Sequence, residues 1–331
     1  MKKILSLLIT ISILICALVG CNPNQPNGSL TLVAEANHDK VAEYLAAGTA
    51  DVVILPEPKA TVAINTAKAN GFNYSIKLNL STEWDRVSDT SLTMGCIVVN
   101  NSFKNSYEKS LADFLDEYES SIKFIGNPEN KADSAQMIVN SGILPKLPIA
   151  NSALTNLYGS IVYQDGDEMK SNLIGFFDAI EMQKPDASFY YSASSEPTGE
   201  AGRKIKIAVM NGPTGMGMAK LMNDENANNK YEFKMYSDPS IAATDLVNGD
   251  VDMACLPTNN AANLYNKSQS ISVASINCLG SLYVVAKDEI QIKSISDLKD
   301  KTVYYGVPAS TTAPIFKYII SKNKLEITEN E

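Results

Sequence analysis

Leu45-Ala-Ala-Gly48-Thr-Ala-Asp51-Val-Val-Ile-Leu55-Pro56 has a counterpart far along the chain, Leu246-Val-Asn-Gly249-Asp-Val-Asp252-Met-Ala-Cys-Leu256-Pro257. Both stretches read L-x-x-G-x-x-D-x-x-x-L-P. The Gly sits where a helix ends, because that position favours a left-handed backbone. The apolar run after Asp predicts a short buried strand, and Pro falls at its carboxyl end, where a sheet tolerates it. A weaker pair lies nearby. Lys204 to Met210 reads as a strand, Asn211 to Gly217 as a Gly-rich loop, and Met218 to Met222 as the opening of a helix. Lys301 to Tyr305, Gly306 to Thr312 and Ala313 to Ser321 repeat that strand–loop–helix order.

The order of these pieces matters. Residues 204–261 hold both halves of one unit. The other unit has its first half at 301–321 and its second at 30–60, so joining Glu331 to the region of Gly28 completes it. The pattern is that of a circularly permuted two-lobed protein. Elsewhere, helices are expected at Asp39–Ala47 (capped by Asn37 or Asp39), Ser106–Phe124, Asn130–Ser141 and Asp167–Met182. Thr93–Asn100 and Gly280–Ala286 are strand-like, and 191–202 has the composition of a linker. Strands alternating with helices define an α/β fold: two lobes, each a mainly parallel sheet flanked by helices.

Composition narrows the function. The 331 residues carry 28 Lys+Arg against 37 Asp+Glu, a net charge of −9, which disfavours nucleic acid as a partner. With 45% hydrophobic and 20% charged residues the chain is neither disordered nor fibrous. One His, and five Cys without a C-x-x-C, leave no evident metal site. Cys96, Cys255 and Cys278 lie in apolar runs and read as buried thiols, with a Cys255–Cys278 bond left open.

The amino terminus reads as an address. Met1-Lys2-Lys3 precedes the apolar run Ile4–Val19, which is short for a membrane span and suits a secretory signal. Leu18-Val19-Gly20-Cys21 resembles the lipobox of bacterial lipoproteins. Residues 1–20 are thus expected to be a signal peptide, Cys21 the lipidated residue, and 21–29 a Pro/Gly-rich tether.

Several blocks resemble the extracytoplasmic solute-binding proteins of ABC importers, in the nitrate/sulfonate/thiamine-precursor branch, which have the type II periplasmic-binding-protein fold. The blocks are IKIAVMNGPTGMGMAKLM (205–222), NGDVDMACLPTNNAANLY (248–265), NCLGSLYVV (277–285), DLKDKTVYYGVPASTT (297–312), GTADVVILPEP (48–58) and 82–99. In that family the last two blocks follow the others; here they come first. The resemblance implies lobe II from 30–92 plus 292–331, lobe I from 99–287, and crossovers at 93–99 and 280–286.

In open α/β sheets ligands bind outside the carboxyl ends of the strands. The expected cleft loops therefore offer Gly212, Thr214, Gly215 and Met216 in lobe I, with Thr258 and Asn259 after Pro257. Lobe II offers Ser310, Thr311 and Thr312, with Glu57 and His38. The glycines admit close backbone approach, and hydroxyls and amides supply polar contacts. A carboxylate at Glu57 suggests a ligand amine or amidine, or else a helix cap. His38 reads as a cap or a cleft residue, and Met216 as lining or packing. Only Arg86 and Arg203 are present, which lowers the odds of a strongly anionic ligand.

The expected function is a lipid-anchored, monomeric receptor that captures a small polar ligand and hands it to an ABC permease in the membrane. It uses no cofactor and performs no covalent chemistry. Two other readings remain open: an enzyme on the same fold, of the menaquinone- or pyrimidine-precursor type, with His38 and Glu57 as acid and base, or a surface lipoprotein without a ligand.

Overall fold

The computed structural model of the chain describes residues 28–307 and 310–330. The expected signal segment, Cys21 and nearly all of the tether lie outside the described residues, as do residues 308 and 309 of the Gly306–Thr312 loop.

The chain starts with β1 (Ser29–Glu35), α1 (His38–Ala46), β2 (Val52–Pro56), α2 (Lys59–Ala69), β3 (Tyr74–Asn79) and α3 (Leu80–Asp85). It continues through β4 (Thr93–Asn100), α4 (Asn101–Ser106), α5 (Glu108–Gly126), α6 (Lys131–Asn140), α7 (Leu147–Asn156), β5 (Ile161–Gln164) and α8 (Gly166–Ala179). Next come β6 (Ile205–Met210), α9 (Pro213–Met216), α10 (Ala219–Met222), β7 (Tyr231–Tyr236), α11 (Pro239–Asn248), β8 (Met253–Pro257), α12 (Thr258–Ser268) and β9 (Ile271–Leu279). The last elements are β10 (Leu282–Lys287), β11 (Thr302–Gly306), α13 (Thr312–Lys322) and β12 (Glu326–Asn330).

These strands make two six-stranded sheets, β12-β1-β11-β2-β10-β3 and β5-β9-β4-β8-β6-β7. The two-lobed α/β architecture expected from the sequence is the one observed. Five strands of each sheet share one plan. β11 lies between parallel β1 and β2, as β6 lies between parallel β7 and β8. β10 is antiparallel to β2 and β3, as β4 is to β8 and β9. The repeated motif falls on β2 and β8 in the same register, since Val303 pairs with Val52 as Ile207 pairs with Met253. The segments expected as crossovers are therefore full sheet strands. The chain changes sheet just before each of them, between α3 and β4 and at Gly280-Ser281, and β10 belongs to the sheet of lobe II.

Local chemistry sets the element ends. Asn37 caps α1, its side chain accepting from Lys40 N–H at 2.8 Å, so the first of the two expected cap residues is the one used. Gly249 ends α11 in the left-handed conformation, at φ 80°. The long helix expected over Ser106–Phe124 is interrupted: Tyr107, at φ −133° and ψ 38°, separates α4 from α5. Residues of the 191–202 linker pack on that break, where Glu200 N–H donates to Ser106 O at 3.0 Å. Along α5, Leu111, Phe114, Leu115, Tyr118, Ile122 and Ile125 recur every three or four residues and are buried. Cys96, Cys255 and Cys278 are buried free thiols. A Cys255–Cys278 bond is not made, because β4 lies between β8 and β9.

The two lobes share apolar contacts. Trp84 of α3 is fully buried between Phe176 of α8 and Tyr318 of α13, with ring centroids 5.7 and 4.8 Å away. Gly306 closes lobe II more tightly than any side chain allows. A Cβ there would stand 2.5 Å from the backbone of Asn37 and of His38. Gly306→Ala is expected to lower the unfolding free energy by about 1–3 kcal/mol, the usual cost of overpacking. Urea titration checks it, and an unchanged midpoint would show that α1 can move aside.

Candidate functional site

The parallel strands β6, β8, β2 and β11 end at Met210, Pro257, Pro56 and Gly306. Antiparallel β4 and β10 begin beside those ends: Gly95 pairs with Pro257 and Leu282 with Pro56. The loops that follow the four parallel strands are thus gathered at the places where the chain passes between lobes.

In lobe I, Gly212 adopts φ 131° at the start of α9. Gly215 can be nothing larger, since a Cβ would lie 2.0 Å from Met210 O. Thr214 is half-buried, and its carbonyl accepts from Asn277 Nδ2 at 3.0 Å. Asn277 also donates to Tyr118 Oη at 3.0 Å, while its own Oδ1 is buried without a partner. Gly95 leaves room for this group, because a Cβ would meet Thr214 and Asn277 Oδ1 at 2.3 and 2.7 Å. Met216 is fully buried among apolar side chains, which places it in the core and not on a lining. Thr258 opens α12, buried, and its hydroxyl has no hydrogen-bond partner among the described residues. Asn259 turns instead to a groove between α11 and α12, with Ser240 and Thr244.

In lobe II, Ser310 Oγ donates to Thr312 Oγ1 at 3.1 Å, and Thr312 opens α13 with Thr311 preceding it. His38 is the first residue of α1 and its Nδ1 is buried without a partner. Burial, and then the charge of Lys59, hold its imidazole below the ordinary histidine range. Lys59 itself is paired with Asp39.

Glu57 is only 2% exposed. Its carboxylate accepts from Thr61 Oγ1 at 2.9 Å and from Thr61 N–H at 3.3 Å. It also accepts from Asn156 Nδ2, which reaches across from α7 of the other lobe. Tyr283 Oη donates to Asn156 O at 2.6 Å and fixes the end of that helix. Burial pushes the Glu57 carboxyl above the usual range, against the opposing pull of Asn156 and Thr61. Among the described residues no hydrogen bond joins Glu57 to His38.

Sequence reasoning missed Asn156, Thr61, Asn277 and Tyr118. Asn277 lies inside the quoted NCLG block; nothing in the sequence marked the other three. Orphaned polar atoms on His38, Thr93 and Asn277 sit at the same strand ends, and each costs about 1–3 kcal/mol while unpaired. Among the described residues no His/Cys/Asp/Glu group could hold a metal. No described helix is long and apolar enough to cross a membrane. A separate cavity of about 360 Å³ in lobe I, bounded by Ile125, Lys131, Leu157 and Tyr158, is lined by none of the strand-end residues.

Residues 218–330 match the family model described as "ABC transporter, phosphonate, periplasmic substrate-binding protein". No curated protein sequence matches the chain. Among solved structures, a binding protein component of an ABC phosphonate transporter from Pseudomonas aeruginosa is 9% identical. Its TM-score is 0.34, over 82% of this chain and 73% of that one. The phosphate-binding protein of a phosphate ABC transporter from Streptococcus pneumoniae is 10% identical, with a TM-score of 0.35 over 90% and 97% of the two chains. An ancestral arginine-binding protein is 11% identical, with a TM-score of 0.31 over 91% and 94%.

The buried carboxyl makes stability pH-dependent. A carboxyl whose folded pKa is raised stabilises fully below its unfolded pKa, and that contribution is lost as pH rises through the folded value. Wild type should therefore lose stability relative to Glu57→Gln as pH rises above about 4, the ordinary carboxyl range. Melting both proteins over rising pH checks it, and a flat difference would mean that the carboxyl titrates normally.

Proposed function

We propose that the protein is the solute-binding receptor of an ABC importer, holding a small polar ligand between its two lobes. The observation that supports this reading is that the strand-end loops of each lobe lie beside the inter-lobe crossings, where buried polar atoms of His38, Thr93, Thr258 and Asn277 lack partners. The family match over 218–330 supports the same reading. Gly212 and Gly215 admit a ligand to the lobe I backbone, with Thr214, Asn277 and Thr258 as polar contacts. Glu57, Ser310, Thr311, Thr312 and His38 contribute from lobe II. The lobes close by bending at the two crossings, and the closed form is what a membrane permease recognises. No step is covalent. Cys21 is the site of lipid anchoring and places the protein on the outer side of the cell membrane, as a monomer.

We read the segment order as a circular permutation within the solute-binding family, the nitrate/sulfonate/thiamine-precursor branch being the one its blocks resemble. The five-strand plan supports this: β6 to β8 is continuous, whereas its counterpart is divided between β11–α13 and β1–α1–β2. The ends of the divided half are neighbours, since Glu326 N–H donates to Gly28 O at 2.9 Å.

Two measurements follow from this reading. Thermal melts against nitrate, alkanesulfonates, phosphonates and small amines should show a rise with one class; saturation at a hundred times Kd stabilises by about 2.7 kcal/mol. A cooperative melt unmoved by every class would sink the receptor reading. For the permutation, a chain opened within 194–200 and joined from Glu331 to Gly28 by a flexible Gly/Ser linker, which keeps β12, should melt as one unit within a few degrees of the original. Separate melting of the lobes would mean that the two ends are not equivalent to a loop.

A further inference from the structure

We infer that the ligand carries a protonated nitrogen received by the Glu57 carboxylate, and that Asn156 of the opposite lobe occupies this carboxylate until the ligand arrives. The inference rests on the receptor reading and names the chemical class of the ligand.

The first ground is position. Glu57 follows Pro56 of β2 as Thr258 follows Pro257 of β8, in two strands that hold the same place in their sheets. One lobe therefore presents a hydroxyl at this point and the other a carboxylate. The second ground is the lack of a counter-charge. Glu57 is buried, and its hydrogen-bond partners are the neutral groups of Thr61 and Asn156. None of the ion pairs among the described residues includes it. Lys59, two residues on, is committed to Asp39, and Arg86 to Glu83. Tyr283 also interacts electrostatically with it, a phenol kept neutral by burial.

A buried carboxylate without a cation is costly. Both carboxylate oxygens are in use, Oε1 accepting from Thr61 Oγ1 and Asn156 Nδ2 and Oε2 from Thr61 N–H, so Gln could keep only part of this set. The carboxylate also carries a charge, which the amino end of α2 offsets only in part and which no side-chain cation among the described residues matches. Asn156 arrives from the other lobe, so its hydrogen bond exists only while the lobes are together. A ligand ammonium entering between them replaces a neutral donor with a charged one, and charge-assisted hydrogen bonds are roughly twice as strong.

The test uses matched pairs that differ only in the nitrogen: taurine and ethanesulfonate, β-alanine and propionate, 2-aminoethylphosphonate and ethylphosphonate. Binding is measured by calorimetry at pH 7 with wild type and with Glu57→Gln. The aminated member of at least one pair should bind wild type about tenfold or more tightly than its partner, and Glu57→Gln should remove that preference. Equal binding of both members overturns the inference and leaves the receptor standing, with Glu57 a structural tie. A preference that survives Glu57→Gln overturns it as well, since the nitrogen then sits elsewhere. If no member binds, and the wider panel above also fails, the receptor reading falls and takes this inference with it. Should Glu57→Gln not fold, Glu57→Asp, which keeps the charge but shortens its reach, takes its place and should weaken the preference; an unchanged preference overturns the inference.

Discussion

The arrangement depends on two strands that run against their neighbours. β4 and β10 each sit inside a sheet, hydrogen-bonded on both edges, and each begins directly after the chain has left the other lobe. An antiparallel strand starts where its parallel neighbours finish. Both crossings are thereby forced to the carboxyl-end side, against the very loops that form the candidate site. The crossings are tight. A Cβ at Gly280 would lie 1.5 Å from Ser81 Oγ, and Ser160 Oγ donates to Gly280 O at 2.8 Å. Trp84, in the helix before the other crossing, fills the apolar space between α8 and α13. The backbone that joins the lobes thus also fixes the floor of the space between them.

The features legible in the sequence were those the backbone itself requires. Gly249 had to be small because the helix ends in a left-handed turn, and Pro56 and Pro257 had to fall at strand ends because neither can donate to a ladder. Such demands leave the same letters in both lobes, which is why the repeat could be found and why its two copies share a register. The break at Tyr107 was not legible, because the apolar spacing of α5 continues smoothly through 107 while the backbone does not. Met216 and Asn259 were expected at the cleft and are found in the core and in an outer groove. In the first turn of a helix the side chain's direction depends on how that helix is rotated on its sheet, and residue type does not encode the rotation. Asn156 and Thr61 lie 95 residues apart and meet only because α7 of one lobe ends over α2 of the other.

Duplicated backbone carries different chemistry in the two copies. The motif aspartate shows it at the far end of the sheets. Asp252 is buried, accepting from Lys206 N–H at 2.9 Å and from Arg203 at 2.7 Å, whereas Asp51 is exposed and paired with Lys287 at 2.8 Å. Both tie the foot of a central strand to a cation, one inside the protein and one in water. At the near end the divergence is larger, a hydroxyl at Thr258 against a carboxylate at Glu57. A two-lobed site built from identical halves would offer a ligand the same contacts twice. Divergence at these paired positions makes the two faces unlike, and unlike faces suit a ligand whose two ends differ.

The inter-lobe contacts also differ in what it costs to break them. Trp84 with Phe176 and Tyr318 is a dry aromatic cluster, and parting it would expose large apolar surfaces to water. The Asn156 bridge to Glu57 is a hydrogen bond that water can replace, worth about 1.5–3 kcal/mol net for a bond to a charged group. For a receptor that must open and close, this ordering matters. Bending about the aromatic cluster keeps the apolar contact and sacrifices only the polar one. On the receptor reading, opening would be inexpensive at the strand ends and expensive at the crossings, and motion would fall on the side where the unpartnered polar atoms lie.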